Sequence, residues 1–262
     1  ASGDAGALSD GNIAIGTNAL LGGAFAAANE LKGNIAIGYQ AMHGTSTSEQ
    51  IGTVAIGYQA LIALSSGAGN TAVGYQAGLA LTSGGSNTAL GKNALLDFVE
   101  GAGNTAIGAG ALGGALGGNA DGSSSNVAIG QSAAGGDWAD ENCSNLIAIG
   151  VEALDGALEG SNVDGTVAIG RSALGALTAG AGNTVIGFEA ALALGTGADN
   201  TIIGWRAFDS ADGVETDNVA IGINSLGALN AATAGNQNVC IGSSAGLSGA
   251  CTNFKENVDI GY

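Results

Sequence analysis

Fourteen times in this chain a glycine closes the same short run of residues, and that recurrence limits what the chain can fold into. Copies read N-I-A-I-G at 12–16, N-T-A-V-G at 70–74, N-T-A-I-G at 104–108 and N-V-A-I-G at 126–130. The motif glycines are Gly16, Gly38, Gly57, Gly74, Gly91, Gly108, Gly130, Gly150, Gly170, Gly187, Gly204, Gly222, Gly242 and Gly261, spaced by 17 to 22 residues with 17 commonest. A fixed period of this length marks stacked supersecondary units that cannot bury a core singly. The basic coil is taken as 17 residues, with any excess inserted as loop.

Each column of the repeat carries physical content. The residue before the glycine is always Ile, Val or Leu, and the one three before is always β-branched. Such positions flanking a small residue, usually Ala, spell a short strand. The β-branched face is expected in the core, with the small middle residue allowing another sheet or chain to approach the second face. Four before the glycine stands Asn in eleven of the fourteen copies: Asn12, Asn34, Asn70, Asn87, Asn104, Asn126, Asn183, Asn200, Asn218, Asn238 and Asn257. Stacked coil on coil, these would form an amide ladder that satisfies backbone groups at a turn; a glycan- or ligand-binding row is the alternative.

After the glycine come residues as different as Tyr39, Lys92, Gln131, Arg171 and Trp205, so the chain turns to solvent there. Ala then recurs two positions on, often followed by Leu, Met or Phe, which returns the chain to the core. The expected fold is all-β: one repeat domain over residues 1–262, a parallel β-solenoid or β-roll of about fourteen coils. At a strand separation of about 4.8 Å the rod would be about 65 Å long. A helical repeat competes, because Ala-Leu runs such as 190–194 favour helix, but the apolar segments are short and broken by Gly.

The N-x-A-I-G core at 12–16, 104–108 and 126–130 resembles the head repeats of trimeric autotransporter adhesins. The longer unit G-N-T-A-V-G-Y-Q-A at 69–77 is similar to arrays in bacteriophage tail-fibre proteins. That resemblance implies a β-roll or β-solenoid, commonly a parallel trimer, displayed on a cell or virion surface to contact a host.

Composition narrows the partners. Fifty Gly without a single Pro or a Gly-X-Y period exclude collagen. A net charge of −17 repels nucleic acid and anionic membrane surfaces, and no apolar run reaches the roughly 20 residues of a spanning helix. Placing the start of one copy after the end of another sets Gly16 17 residues beyond Gly261, one basic coil. Head-to-tail completion of a coil between copies is one reading of that spacing, and excision from a longer array or a chance match is the other; a trimeric association is the further expectation. The expected function is an extracellular, non-enzymatic structural protein that assembles into a fibre or filament. The alternative is a trimeric adhesin or tail-fibre segment that binds a host receptor or cell-surface glycan. Ice binding would want a regular Thr array, whereas Thr here alternates with Ile and Val; curli-like amyloid shares the Gly, Asn, Gln and Ala repeats.

Candidate chemistry is sparse. The only histidine, His43, has no triad pattern around it, and the G-x-G-x-x-G at 108–113 lacks the strand-to-helix setting of a dinucleotide site. Calcium is the one cofactor with candidate ligands, the loop carboxylates Asp137, Asp140, Asp209 and Asp212; a solvated acidic face is the competing reading. Tyr39, Tyr58 and Tyr75 share one column of successive coils, as do Phe188 and Trp205, offering either a sugar-stacking surface or a stabilising ladder. Of the three cysteines, Cys240 replaces the small strand residue and reads as a buried thiol. Cys143 and Cys251 lie about five coils apart, on the order of 25 Å, too far for a bridge within one straight chain. Pairing of Cys240 with Cys251, or between subunits, stays open.

Overall fold

A computed structural model describes residues 8–21, 30–44, 50–114, 122–137, 143–156, 163–211, 214–227, 235–246 and 256–261. The chain is a parallel β-solenoid with no helix among these residues. Three short strands, β1 (Leu8–Asp10), β3 (Glu30–Lys32) and β5 (Gln50–Ile51), make a small parallel sheet along the first coils. Every motif copy supplies one strand to a second sheet: β2 (Ile13–Ile15), β4 (Ile35–Ile37), β6 (Val54–Ile56), β7 (Thr71–Val73), β8 (Thr88–Leu90), β9 (Thr105–Ile107) and β10 (Val127–Ile129). It continues through β11 (Ile147–Ile149), β12 (Val167–Ile169), β13 (Thr184–Ile186), β14 (Thr201–Ile203), β15 (Val219–Ile221), β16 (Val239–Ile241) and β17 (Val258–Ile260). These fourteen strands stack in chain order, each column in register with itself, as in Ala106 opposite Ala128 and Ile107 opposite Ile129.

The strand faces the opposite way from the sequence expectation. The middle residue, Ala36, Ala106 or Ala168 for example, is fully buried, and the β-branched and Ile positions beside it point outward. The reason is the narrowness of the coil interior. Within it also lie the alanine three after the glycine, the Leu, Met or Phe that follows, and the asparagine amide, all buried (Ala111, Leu112 and Asn104 in one coil). A methyl group fits between them in most coils, and Val185 and Ile202 are the larger side chains that two coils bury there. Val185 takes the middle position in the coil that carries Ala191 where neighbouring coils carry Leu174 and Phe208. In coils spaced by 17 residues a further apolar side chain seven after the glycine fills the remaining interior: Leu64, Leu81, Phe98, Leu177 and Leu194 are all buried. The extra residues of the longer coils fall mainly after this point, largely outside the described residues.

Five backbone ladders run along the rod. In one, the motif glycine donates its N–H to the residue before the previous glycine, as Gly108 does to Leu90 O at 2.8 Å. In another, the N–H four after the glycine donates forward, as Leu112 does to Ala133 O at 3.0 Å. To hold these bonds the chain takes left-handed conformations two and four residues past the glycine, for instance Gln59 (φ 56°) and Leu61 (φ 50°). Such φ values cost non-glycine residues free energy, which the repeated ladders offset.

The motif glycine is fixed by a steric contact as well as by conformation. Gly108 has φ 134°, and a Cβ placed on it would run into the carbonyl oxygen of Gly130 in the next coil. Gly108→Ala is therefore expected to lower unfolding free energy by about 2–3 kcal/mol through overpacking, read as a reduced urea midpoint. Gly33→Ala, where a Cβ meets nothing within 4 Å but φ is 62°, isolates the conformational part and is expected to cost less.

Candidate functional site

The asparagine column forms a continuous internal device wherever the residue is present. Asn104 is fully buried. Its backbone N–H donates to Asn87 Oδ1 at 2.8 Å, its Nδ2 donates to Ser123 O at 2.9 Å, and its Oδ1 accepts from Asn126 N at 3.0 Å. Each amide thus ties its own coil to the next at two points, satisfying groups that the turn would otherwise leave buried and unpaired. The side-chain oxygens of Asn12, Asn34, Asn70, Asn87, Asn126, Asn183, Asn200, Asn218 and Asn238 likewise accept a backbone N–H from the next coil, and Asn257, which is exposed, donates to Asn238. An amide enclosed this way presents nothing to an external glycan. The ladder is interrupted at Thr53, Leu146 and Thr166, and the hydroxyls of Thr53 and Thr166 are buried with no hydrogen-bond partner.

The aromatic column lies outside. Tyr39, Tyr58 and Tyr75 stack with ring centroids 5.2 Å apart and planes within 15°. Beside them Gln59 Nε2 donates to Gln40 Oε1, and Gln76 Nε2 to Gln59 Oε1, both at 3.1 Å. Both faces of Tyr58 are covered by neighbouring rings, so a sugar could not stack on it; ring edges and hydroxyls remain exposed. Phe188 and Trp205 lie parallel at 6.3 Å. Arg171 sits over Phe188 and Arg206 over Trp205, at 5.9 and 5.2 Å from the ring centroids. Arg206 also pairs with Glu189 at 3.0 Å and Asp209 at 3.4 Å.

The two calcium candidates within the described residues, Asp137 and Asp209, are not brought together. Asp137 follows β10 and Asp209 follows β14, four rungs or about 19 Å apart along the rod, and Asp209 is engaged with Arg206. Asp140 and Asp212 lie outside the described residues. Among the described residues no group of three metal-ligating side chains forms. Cys240 is buried in the middle column as expected, Cys143 is also buried, and Cys251 lies outside the described residues.

One titratable group carries an electrostatic penalty. Partial burial, reinforced by the charge of Glu152, raises the pKa of Asp155 above the usual carboxylate value, while a hydrogen bond from the Gly135 backbone opposes the shift. A folded pKa above the unfolded one means the folded state binds the proton more tightly, so this group destabilises at neutral pH and that penalty fades as pH falls through the folded pKa.

Sequence reasoning missed the outer surface of the strands. Two parallel columns run along it, one of Ile, Val and Thr and one of Ile, Val and Leu, with no charged side chain in either. Ile15 is 58% exposed and Leu90 48%. At three residues wide and fourteen strands long this ribbon spans roughly 650 Å², just above the roughly 300–600 Å² typical of the largest patch on a monomer. A signal for it was available: five threonines in the β-branched column suit a wet face better than a core.

Asn104→Ala is expected to cost about 2 kcal/mol by leaving buried backbone groups unpaired, whereas Thr166→Asn should add about 1 kcal/mol by closing a gap in the ladder; urea unfolding reads both. Asp155→Asn should raise Tm at pH 7, with a gain that shrinks as pH is lowered. An unchanged Tm across that range would refute the assignment.

Set against known proteins, the chain matches no family model, and no curated protein or solved structure matches it.

Proposed function

We propose that the protein is an extracellular structural rod that assembles with copies of itself into a fibre, stacking head to tail along the axis and associating side by side. The charge-free ribbon carries this reading. In a chain of net charge −17, two full-length columns without one charged residue form the surface where like-charged rods approach at least electrostatic cost. Its area of roughly 650 Å² is close to the ~800 Å² per partner of a standard-sized interface. Head-to-tail growth draws on the uniform coil: each coil meets the next through the same pairings, so the upper face of one is complementary to the lower face of another.

A second reading is a trimeric adhesin or phage tail-fibre segment that contacts a host receptor or glycan, in line with the repeat resemblance. The ribbon would then form the inter-chain contact. The exposed Tyr39–Tyr58–Tyr75 edges and the Arg171–Phe188–Trp205–Arg206 group would supply the recognition surface.

Ile149→Lys combined with Ile169→Lys is expected to convert a laterally associated species to single rods in sedimentation velocity, while Gln131→Lys, a cation added outside the ribbon, should leave it intact. Lysine reduces the net negative charge, so lost association cannot be put down to added repulsion. Unchanged association in the double variant would remove the ribbon as the contact. Filaments with an axial repeat near 65 Å, about 4.8 Å per rung, support the fibre reading in electron microscopy; short bundles that bind glycans or cells support the second.

A further inference from the structure

The asparagine ladder is broken at Leu146, Thr53 and Thr166, and the three breaks are not alike. Where asparagine is present, its Oδ1 accepts the N–H of the residue four before the next glycine, at 2.8 to 3.2 Å. Its Nδ2 donates to a carbonyl of the next coil, as Asn87 does to Gly101 O and Asn126 to Cys143 O. Loss of the asparagine therefore orphans one N–H and one carbonyl in the following coil. At Leu146 the orphans are Thr166 N–H and Val163 O, and they bond to each other at 3.3 Å. At the threonines only the carbonyl is served. Asn70 Nδ2 donates to Gly67 O of its own coil at 3.0 Å as well as to Gly84 O at 2.9 Å. Asn183 Nδ2 does the same with Gly180 O at 3.1 Å and Gly197 O at 2.8 Å. Both asparagines are buried, and no acceptor among the described residues meets either backbone N–H.

In place of the missing amide each of these two coils has a fully buried threonine whose hydroxyl also has no partner. Threonine ends one atom sooner than asparagine, so its oxygen stops short of the N–H that Oδ1 would have met. At Thr53 the deficit is larger. Gln50, three residues earlier, is fully buried with both side-chain amide atoms unpaired, and its carbonyl is the one that takes the Asn34 amide.

We propose that each threonine gap is a binding site for one internal water molecule, which stands in for the missing amide oxygen by accepting from Asn70 N–H at Thr53 and from Asn183 N–H at Thr166. The groups present select water over an ion. They are a fixed N–H donor, a hydroxyl that donates or accepts and, at the first gap, an amide with one oxygen and one NH₂. A cation would meet the N–H head-on, and an anion would be buried in a chain of net charge −17. Water donates two bonds and accepts two, which suits such a mixed set. A buried water makes about three hydrogen bonds. With Gln50 the Thr53 site offers that number, whereas the Thr166 site, with Val163 in the glutamine's column, offers two. The water at Thr53 is accordingly held longer. Leaving the N–H and the hydroxyl dry is the costlier arrangement.

The test is magnetisation transfer from water to the backbone amides of the full chain by proton-detected NMR, with NOE and ROE recorded together to separate dipolar contact from proton exchange. The Asn70 and Asn183 amides are expected to show dipolar cross-peaks to a long-lived water, stronger at Asn70. The Asn104 amide, bonded to Asn87 Oδ1, should show none and reports that the fold is intact. Thr53→Asn supplies the missing oxygen and is expected to abolish the Asn70 peak while sparing Asn183. Thr53→Val removes the hydroxyl proton as a relay and is expected to keep the Asn70 peak; its loss would assign the signal to the hydroxyl and overturn the bound water. Gln50→Leu is expected to weaken the Asn70 peak at least about twofold, from three partners to two, and an undiminished peak would remove the glutamine from the site. Absence of cross-peaks at Asn70 and Asn183 with the Asn104 amide unchanged overturns the proposal, as does an Asn70 peak that survives Thr53→Asn.

Discussion

The whole rod depends on one close approach. At each motif glycine the carbonyl of the glycine one coil on lies where a Cβ would have to go, from Gly38 against Gly57 to Gly222 against Gly242. That contact sets the coils at strand spacing and keeps every column in register, and with register fixed the remaining interactions become ladders. The amide of Asn104 meets Asn87 and Asn126, the ring of Tyr58 meets Tyr39 and Tyr75, and Gln59 meets Gln40 and Gln76. Residues 17 to 22 apart in sequence thus become nearest neighbours, and a contact that is modest in one coil recurs along the length.

Interior width is the second constraint, and it governs which residues the columns accept. The interior holds an alanine from the strand, an alanine and a larger apolar residue from the turn, and an asparagine amide, all dry. The middle column is mostly alanine, with β-branched side chains admitted inside only at Val185 and Ile202; elsewhere the β-branched positions face outward, which leaves an apolar ribbon on a strongly acidic molecule.

Much of this was legible in the sequence because the repeat is a direct record of translational symmetry. The glycine spacing predicts the solenoid and its fourteen strands, the residues after the glycine predict the exposed turn, and the eleven asparagines predict the amide ladder. Cys240 was placed correctly in the interior because it stands in the alanine column. The direction of the strand was not legible. Alternation says that Thr105 and Ile107 share one face and Ala106 the other, but it does not say which face is dry. A small residue is compatible both with a crowded interior and with the approach of an outside sheet.

The sequence by itself determined the period, the parallel stacking and the identity of each column, since these follow from the repeat and from the backbone requirements of glycine and asparagine. Tertiary structure alone decided which side of the strand is inside. That choice depends on what else occupies the coil, namely Leu112, Ala111 and the Asn104 amide crowding against Ala106, and such crowding exists only once the chain has closed on itself.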